Sequence, residues 1–222
     1  VAGRTDAGVH ARHQVCHLDV SDEAWARLAP RGGESADAAT ASSIVRRLNK
    51  ILSGRYGERA RGRDLPAARG TCDVRIYSAA VVDPSFDARF SALGRSYAYR
   101  VSDHPEPLGR WDRLWVEDPL DEAAMNEAGA ALLGEHDFLG FCRPREGATT
   151  IRTLRALRAE RDSEGTLVFT VEADAFCHSM VRSLVGALLL VGSGARDADY
   201  PAQILRARSR SQAAPIAPAH GL

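Results

Sequence analysis

The segment IRTLRALRAERDSEGTLVFTVEADAFCHSMVRSLVGALLLV, residues 151–191, contains both periodicities that decide the fold. Residues 151–160 and 166–173 have the composition of a strand pair, and the turn sequence DSEG joins them. The stretch that follows carries apolar side chains at helical spacing, in two adjacent rows: Phe176, Met180, Leu184 and Leu188 beside Val181, Val185 and Leu189. A strand pair followed by an amphipathic helix is typical of an α+β fold.

Further elements are predicted before this segment. Apolar and polar residues alternate at 13–20 and 95–101, which predicts two more strands, and another strand is predicted at 74–82. One helix is predicted from Ser43 to a glycine cap at Gly54, and a second helix between an N-cap at Asp121 and Gly134. Two successive strand–helix–strand groupings predict an α+β chain in two halves, residues 1–88 and 89–222.

The composition is that of an ordinary soluble globular protein, with 45% hydrophobic and 26% charged residues. The most apolar run, residues 176–191, contains His178 and Arg182, so no stretch is predicted to span a membrane. The four cysteines are far apart and form no C-x-x-C pair. This predicts reduced thiols and a cytoplasmic protein.

Arginine supplies nearly all of the positive charge. The 29 basic residues balance 29 acidic ones, and Lys50 is the single lysine. Arginine binds phosphate with two parallel hydrogen bonds and stacks on bases, although a high-GC genome also explains its excess. Because phosphate binding needs a local positive field, zero net charge does not exclude a nucleic-acid partner.

Residues 3–11, GRTDAGVHA, form the first segment with a side chain suited to catalysis. Gly3 and Gly8 allow a tight or left-handed backbone on both sides of Asp6, which could therefore present its carboxylate from a constrained turn. A charged carboxylate held close to a substrate carbon can act as a nucleophile. The alternative interpretation is an ordinary Asx turn at the start of a strand.

Four potential metal ligands lie close together in the sequence: His10, His13, Cys16 and His17. On a strand beginning near residue 13, His13 and His17 would share a face and Cys16 would point to the other face. We therefore predict no metal site there. His10 is expected to shape the Asp6 loop by local hydrogen bonding.

Arg182 lies between the apolar rows of the predicted C-terminal helix, on a stripe with Ser179, Ser183 and Gly186. Small residues on this stripe would let the helix approach another element closely. A buried arginine without a carboxylate partner costs several kcal/mol, so we expect a carboxylate partner, for which Asp6 is one candidate. The alternative is that Arg182 extends along the helix to solvent.

The segment around Asp6 resembles the active-site motif of the TruA-type tRNA pseudouridine synthases. Further segments resemble other blocks of that family in the same order: FDARFSA (86–92) continuing into GRSYAY (94–99), GEHDF (134–138) followed by Phe141 and Cys142, FCHSMVR (176–182), and APAHGL (217–222). Family members have a strand and a helix before the Asp motif and a final strand after the closing block. This sequence contains neither and does not begin with Met, so we expect that residue 1 is not the true start and that residues 1–88 lack their first strand and helix.

The resemblance implies an α+β fold of two RRM-like or ferredoxin-like halves, each with an antiparallel or mixed sheet and helices on one side. The active-site cleft would lie between the halves. The implied activity is that of an isomerase, an intramolecular transferase that converts uridine to pseudouridine in the anticodon stem-loop of tRNA, at positions 38–40. The implied partners are tRNA and a second copy of the chain in a homodimer. No metal, nucleotide or other cofactor is implied, and no membrane.

The family's functional residues carry over to Asp6 as nucleophile, Tyr97 and Arg182 in catalysis, and Arg4, Arg89 and Arg95 in substrate binding. Tyr97 would stack on the flipped uracil, although the pattern alone also fits a half-buried strand aromatic. Arg4 resembles the arginine associated with extruding the target base. Whether Asp6 attacks C6 or C1′, or removes the 2′ proton, stays open here.

Two other function classes stay open on the residues alone. Tyr97 and Tyr99 could be the stacking residues of a non-catalytic RNA-binding module, and the histidine cluster could belong to a metal-dependent hydrolase. The sequence has no RNP-like aromatic run, and a pure binder needs no Asp–Arg pair. It also has no G-x-G-x-x-G or P-loop motif that would indicate a nucleotide cofactor.

Overall fold

Two units can be distinguished from the backbone contacts of the computed structural model, which describes residues 4–30, 37–65, 67–68, 70–209, 211 and 215–222. The larger unit joins the described residues up to Val15 to Ala88–Leu222, and the smaller unit is Cys16–Asp87. Asp6 therefore belongs to the same unit as the C-terminal part of the chain. The division into domains at residue 88 stays a prediction. Among the described residues, the helices are all too short or too polar to cross a membrane.

The smaller unit contains two helices, α1 at Asp22–Leu28 and α2 at Asp37–Arg61. Ser21 caps α1, because its hydroxyl accepts a hydrogen bond from the Ala24 amide at 3.3 Å. The predicted end of α2 at Gly54 is wrong. Glycine inside a helix costs about 1 kcal/mol relative to alanine, and Gly57 repeats this cost, but the arginines, Glu58 and Ala60 beyond Gly54 are good helix formers. An Arg55–Glu58 ion pair at 3.2 Å adds to them.

The strands predicted at residues 13–20 and 74–82 are also wrong, because neither stretch pairs with another strand. Alternation predicts that an extended segment has two different faces, but a strand also needs a neighbour for its backbone. At Ile76 the Asn49 side chain of α2 takes that place, since its Nδ2 donates to the Ile76 carbonyl at 2.7 Å and its Oδ1 accepts from the Ile76 amide at 2.9 Å. Tyr77 is left 77% exposed.

The larger unit is built on a five-stranded mixed sheet in the order β2-β1-β5-β4-β3. Its strands are β1 (Arg95–Ser102), β2 (Leu114–Trp115), β3 (Gly134–Asp137), β4 (Ile151–Arg161) and β5 (Leu167–Ala173). β1 and β2 are parallel, and the other neighbours are antiparallel. The predicted strands at 95–101, 151–160 and 166–173 are confirmed.

The helices of the larger unit are α3 (Glu122–Ala130), α4 (Met180–Gly192) and α5 (Tyr200–Ala207), with short 3-10 helices at Pro107–Gly109, Leu139–Phe141 and Ala219–Gly221. Asp121 caps α3 as predicted, accepting from the Ala124 amide at 3.0 Å. α4 begins later than the apolar pattern indicates. Ser179 just before it has a left-handed backbone, with φ of 64°, which interrupts the helical geometry.

One face of the sheet is buried under α3 and α4. Tyr99 of β1, Phe169 of β5, Met125 of α3 and Leu184 of α4 are all fully buried in a single core. Burying each such side chain stabilises the fold by about 1.5–3 kcal/mol. The predicted α+β class is confirmed, and the core fixes both β1 and α4, which carry two of the expected site residues.

Two of the cysteines, Cys142 and Cys177, lie side by side in the larger unit, with Cα atoms 5.6 Å apart. The two residues are 35 positions apart, so no local spacing could indicate their proximity. The reduced state of the thiols stays a prediction. Cys16 and Cys72 are free thiols.

Candidate active site

Asp6 lies in a tight turn of the N-terminal loop. The Val9 amide donates to the Asp6 carbonyl at 3.2 Å, and Gly8 has a left-handed backbone with φ of 82°. A Cβ atom at Gly8 would lie 3.3 Å from the Cβ of Ala219, so a larger residue would be both strained and crowded. The prediction of a constrained turn is confirmed at Gly8, whereas Gly3 lies outside the described residues.

His10 ties this loop to two distant parts of the chain. Its backbone amide donates to the carbonyl of Leu222 at 2.8 Å, and its Nε2 lies 3.0 Å from the carbonyl oxygen of Trp111. His10 therefore forms hydrogen bonds as predicted, but the prediction that they are local is wrong, because both acceptors are more than 100 residues away in sequence. Within the part of the chain that the structure describes, no group of three His, Cys, Asp or Glu residues could hold a metal ion.

Arg182, in the first turn of α4, reaches the Asp6 carboxylate. Its Nη1 lies 3.4 Å from Asp6 Oδ2, and the exposed fractions of the two side chains are 19% and 23%. The predicted ion pair is therefore present, and the alternative that Arg182 extends to solvent is wrong. Because both groups are largely withdrawn from water, removing one would leave the other without compensation for its desolvation.

The residues just before α4 add two contacts to Asp6 that the sequence analysis missed. His178 Nε2 lies 3.2 Å from Asp6 Oδ1, and the Ser179 hydroxyl donates to Asp6 Oδ2 at 3.3 Å. One signal was available, since His178 and Arg182 are four residues apart and could have been assigned to one side of the predicted helix. The sequence predicts Ser179 only as a member of the small-residue stripe, and no local signal indicates its left-handed backbone.

A C-terminal segment, residues 215–222, which we call the closing segment, holds Arg182 from the other side. Arg182 Nε donates to the carbonyl of Ala217 at 2.6 Å, and the Ala217 amide donates to the carbonyl of Arg182 at 3.1 Å. The hydroxyl of Tyr99 donates to the carbonyl of Pro218 at 2.8 Å. The guanidinium is thus fixed between the Asp6 carboxylate and a backbone carbonyl.

The small-residue stripe of α4 allows the closing segment to lie this close. A Cβ atom at Gly186 would overlap the carbonyl oxygen of Pro215, so only glycine fits there. Ser183, on the same stripe, is buried. The close approach predicted from the stripe is therefore present, and its partner is the closing segment.

Tyr97 lies on β1 in the same unit, half-buried, with its ring edge-to-face with Phe176 at a centroid distance of 5.1 Å. Burial raises the pKa of Tyr97, the positive charge of Arg95 acts against this shift, and the negative charge of Asp6 adds to it. The Asp6 carboxylate is therefore within electrostatic reach of the ring. A neutral aromatic ring beside a fixed carboxylate can stack on an uncharged base.

The three arginines predicted to bind substrate are arranged differently. Arg95 Nη2 donates to the carbonyl of Arg89 at 3.2 Å, and the Arg89 guanidinium lies 5.2 Å from the ring centroid of Phe90. Phe90 is 78% exposed, so this group presents an aromatic ring and a cation to solvent. Arg4 is exposed, two residues from Asp6.

Comparison with known proteins gives a consistent result. Residues 128–222 match the sequence profile of a family described as tRNA pseudouridine synthase. The chain is 48% identical over 226 aligned positions to tRNA pseudouridine synthase A of Streptomyces griseus, covering 100% of this chain and 69% of that protein. It is 49% identical to the protein of the same name from Frankia casuarinae and 42% identical to that from Mycobacterium leprae, with 100% of this chain covered in both and 70% and 71% of those proteins.

Proposed function

We propose, because the chain belongs to the tRNA pseudouridine synthase family, that it converts uridine to pseudouridine in tRNA with Asp6 as its nucleophile. The observation that carries the proposal is the Asp6 carboxylate, which Arg182 holds at 3.4 Å while 23% of its side chain stays open to solvent. A carboxylate that is fixed, paired and still accessible is suited to nucleophilic attack. A purely structural ion pair has no need of that access.

The proposed reaction is an isomerisation with no net gain or loss of atoms. The bond between N1 of the uracil and C1′ of the ribose breaks, the base turns, and C5 bonds to C1′. The hydrogen on C5 leaves as a proton, and N1 gains a proton from water. No electron is transferred to or from another molecule, so the residues of the chain need only bind, orient and attack.

In this proposal each site residue has a separate role. Asp6 attacks the target nucleoside, and the bond that it forms breaks again before the product leaves, which regenerates the carboxylate. Arg182 keeps that carboxylate oriented. Tyr97 stacks on the uracil, a contact worth about 1–3 kcal/mol per base. Arg4 helps to extrude the target base, because a uridine inside a stem can react only after it leaves the stack.

Arg89 and Arg95 are proposed to bind the RNA backbone. The Arg95 guanidinium donates to the Arg89 carbonyl at 3.2 Å, so one charge lies beside the backbone of the other arginine although the net charge of the chain is zero. Phe90 beside them offers a ring on which an unpaired base can stack. A local positive field with an exposed aromatic ring is typical of single-stranded RNA contacts.

Further features are proposed on the family resemblance alone. These are the choice of uridines 38–40 in the anticodon stem-loop, a homodimer, a cytoplasmic location, and a two-half RRM-like architecture with the cleft between the halves. Two of them have direct tests. Mapping pseudouridines in tRNA from cells with and without the gene tests the modified positions, and sedimentation tests the dimer.

Tritium release from tRNA labelled at C5 of uridine tests the activity, because forming the C5–C1′ bond expels that hydrogen. We expect release by the unaltered protein and less than about one per cent of it with Asp6→Asn, which keeps the shape and removes the charge. tRNA binding should stay within a few-fold. Asp199→Asn is the matched control, because Asp199 binds Gln203 and Arg206 on the surface of the same unit. tRNA binding without release by the unaltered protein would instead support the RNA-binding module.

A further inference from the structure

We propose that His178 and Ser179 are positioning residues that fix the orientation of the Asp6 carboxylate. The inference rests on the proposed function and deepens it. Arg182 and Ser179 both contact Oδ2, at 3.4 and 3.3 Å, whereas His178 Nε2 contacts Oδ1 at 3.2 Å. Each oxygen of the carboxylate therefore has its own partner.

The division of contacts between the two oxygens matters for orientation. The terminal torsion of an aspartate side chain has a broad distribution, so a carboxylate bound at one oxygen only can still rotate about its last bond. Arg182 alone would leave Asp6 in that state. Because His178 holds the second oxygen, rotation would break at least one contact, and the attacking oxygen keeps a constant direction.

The backbone of Ser179 indicates that this arrangement has a cost. Ser179 is a non-glycine residue in the left-handed region, with φ of 64° and ψ of 9°, a conformation that strains a residue with a side chain. A serine at the start of a helix usually accepts a hydrogen bond from the first turn, but Ser179 makes no such cap. Its hydroxyl donates to Asp6 instead. Ser179 therefore has a strained backbone, and its hydroxyl contacts Asp6 and does not cap α4. This is expected if the contact with the carboxylate has a function.

His178 is held by the core rather than by the loop that it contacts. Its carbonyl accepts from the Arg143 amide at 3.1 Å, and the Cys177 carbonyl accepts from the Met180 amide at 3.0 Å. Cys177 lies beside Cys142, the neighbour of Arg143, with Cα atoms 5.6 Å apart. The imidazole thus extends from a fixed backbone toward Asp6 and is 30% exposed.

Variants at His178 test the proposal through the split between kcat and KM. His178→Ala should lower kcat for tritium release by about 10- to 100-fold, because the carboxylate loses its polar contact at Oδ1. KM for tRNA should stay within about twofold, because the residue acts through Asp6 and not on the RNA. His178→Gln retains a donor at the reach of Nε2 and should recover most of kcat. His136→Ala is the matched control, since His136 bonds the Leu133 carbonyl in the same unit.

Ser179→Gly separates positioning from folding. Glycine adopts the left-handed backbone without strain, so the unfolding temperature should hold or rise, while the loss of the hydroxyl lowers kcat by about 10-fold. An unchanged kcat in Ser179→Gly and His178→Ala, with active unaltered protein, would overturn the proposal. So would a raised KM at unchanged kcat, which would mean contact with tRNA. No tritium release by the unaltered protein would count against the proposed function instead.

Discussion

Tyr99→Phe removes one hydroxyl group from the support behind Arg182. The Tyr99 ring is fully buried and packs against Gly221, and its hydroxyl donates to the carbonyl of Pro218 at 2.8 Å. The carbonyl of Ala217, the residue just before Pro218, accepts the hydrogen bond from Arg182 Nε. Because the ring stays, the substitution tests the hydrogen bond without making a large cavity.

The expected loss follows from the carbonyl that the substitution leaves without its donor. A buried polar group deprived of its partner costs about 1–3 kcal/mol, and the removed hydroxyl also no longer needs desolvation. We expect the free energy of unfolding to fall by about 1–2 kcal/mol, which lowers the unfolding temperature by about 2–8 °C for a chain of this size. Burial raises the pKa of Tyr99, against the effect of the Arg182 charge, so the hydroxyl stays a neutral donor well into the alkaline range.

Urea denaturation measures the stability, and tritium release measures the consequence for the site. A looser closing segment should lower kcat several-fold and leave KM for tRNA unchanged, because Arg182 loses part of its orientation. Tyr77→Phe is the control: that ring is 77% exposed, so its free energy of unfolding should change by less than about 0.5 kcal/mol. Equal stability of Tyr99→Phe and the unaltered protein would refute the role given to this hydrogen bond.

Three further predictions concern charge. Arg182→Ala should lower the free energy of unfolding by about 2 kcal/mol or more and reduce tritium release, because the half-buried Asp6 carboxylate loses its cation; a defect in tRNA binding alone, measured by filter binding, would contradict this. Affinity for tRNA should fall steeply between about 50 and 200 mM salt if Arg89 and Arg95 contact phosphates, and a flat plot of log affinity against log salt would contradict it. A hydrogen bond from Arg161 lowers the pKa of Asp103 from 3.8 to about 2. Because the pKa of Asp103 is lower in the folded than in the unfolded state, about 2 kcal/mol of stability is present above pH 4 and is lost as the pH falls toward 2. Urea denaturation across this range should show the loss, and Asp103→Asn should remove this pH dependence.

The sequence predicts best those elements whose signals are local. The turn between β4 and β5, the Asp121 cap of α3 and the apolar rows of α4 each depend on residues within a few positions of one another, and all three are present. The strands wrongly predicted at 13–20 and 74–82 differ, because a strand depends on a partner outside its own segment. The strand pattern there predicts an extended segment with a buried face, but nearly all of these residues are exposed, and pairing depends on a neighbour that periodicity cannot identify.

The site divides in the same way. A charge inside an apolar helix requires a partner of opposite sign, and the family resemblance identifies Asp6 as the partner of Arg182. The spacing of His178 and Arg182 could have placed both on one side of the helix. The contact of Ser179 could not be predicted, since it depends on a left-handed backbone and α4 begins only after that residue. The closing segment has no periodicity at all, and only its contacts show that it supports Arg182.

The position and orientation of the Asp6 carboxylate depend on elements remote from it in sequence. Its side-chain partners lie 173 and 176 positions later, and the His10 amide bonds the last residue of the chain, Leu222. None of the described loop residues from 4 to 10 is buried, so the loop contributes little packing energy of its own. The position of the nucleophile is therefore set by α4 and the closing segment, which are anchored in the core. It follows that a buried residue such as Tyr99, which touches no substrate, can control kcat, whereas substitutions on the exposed side of the sheet should leave it unchanged.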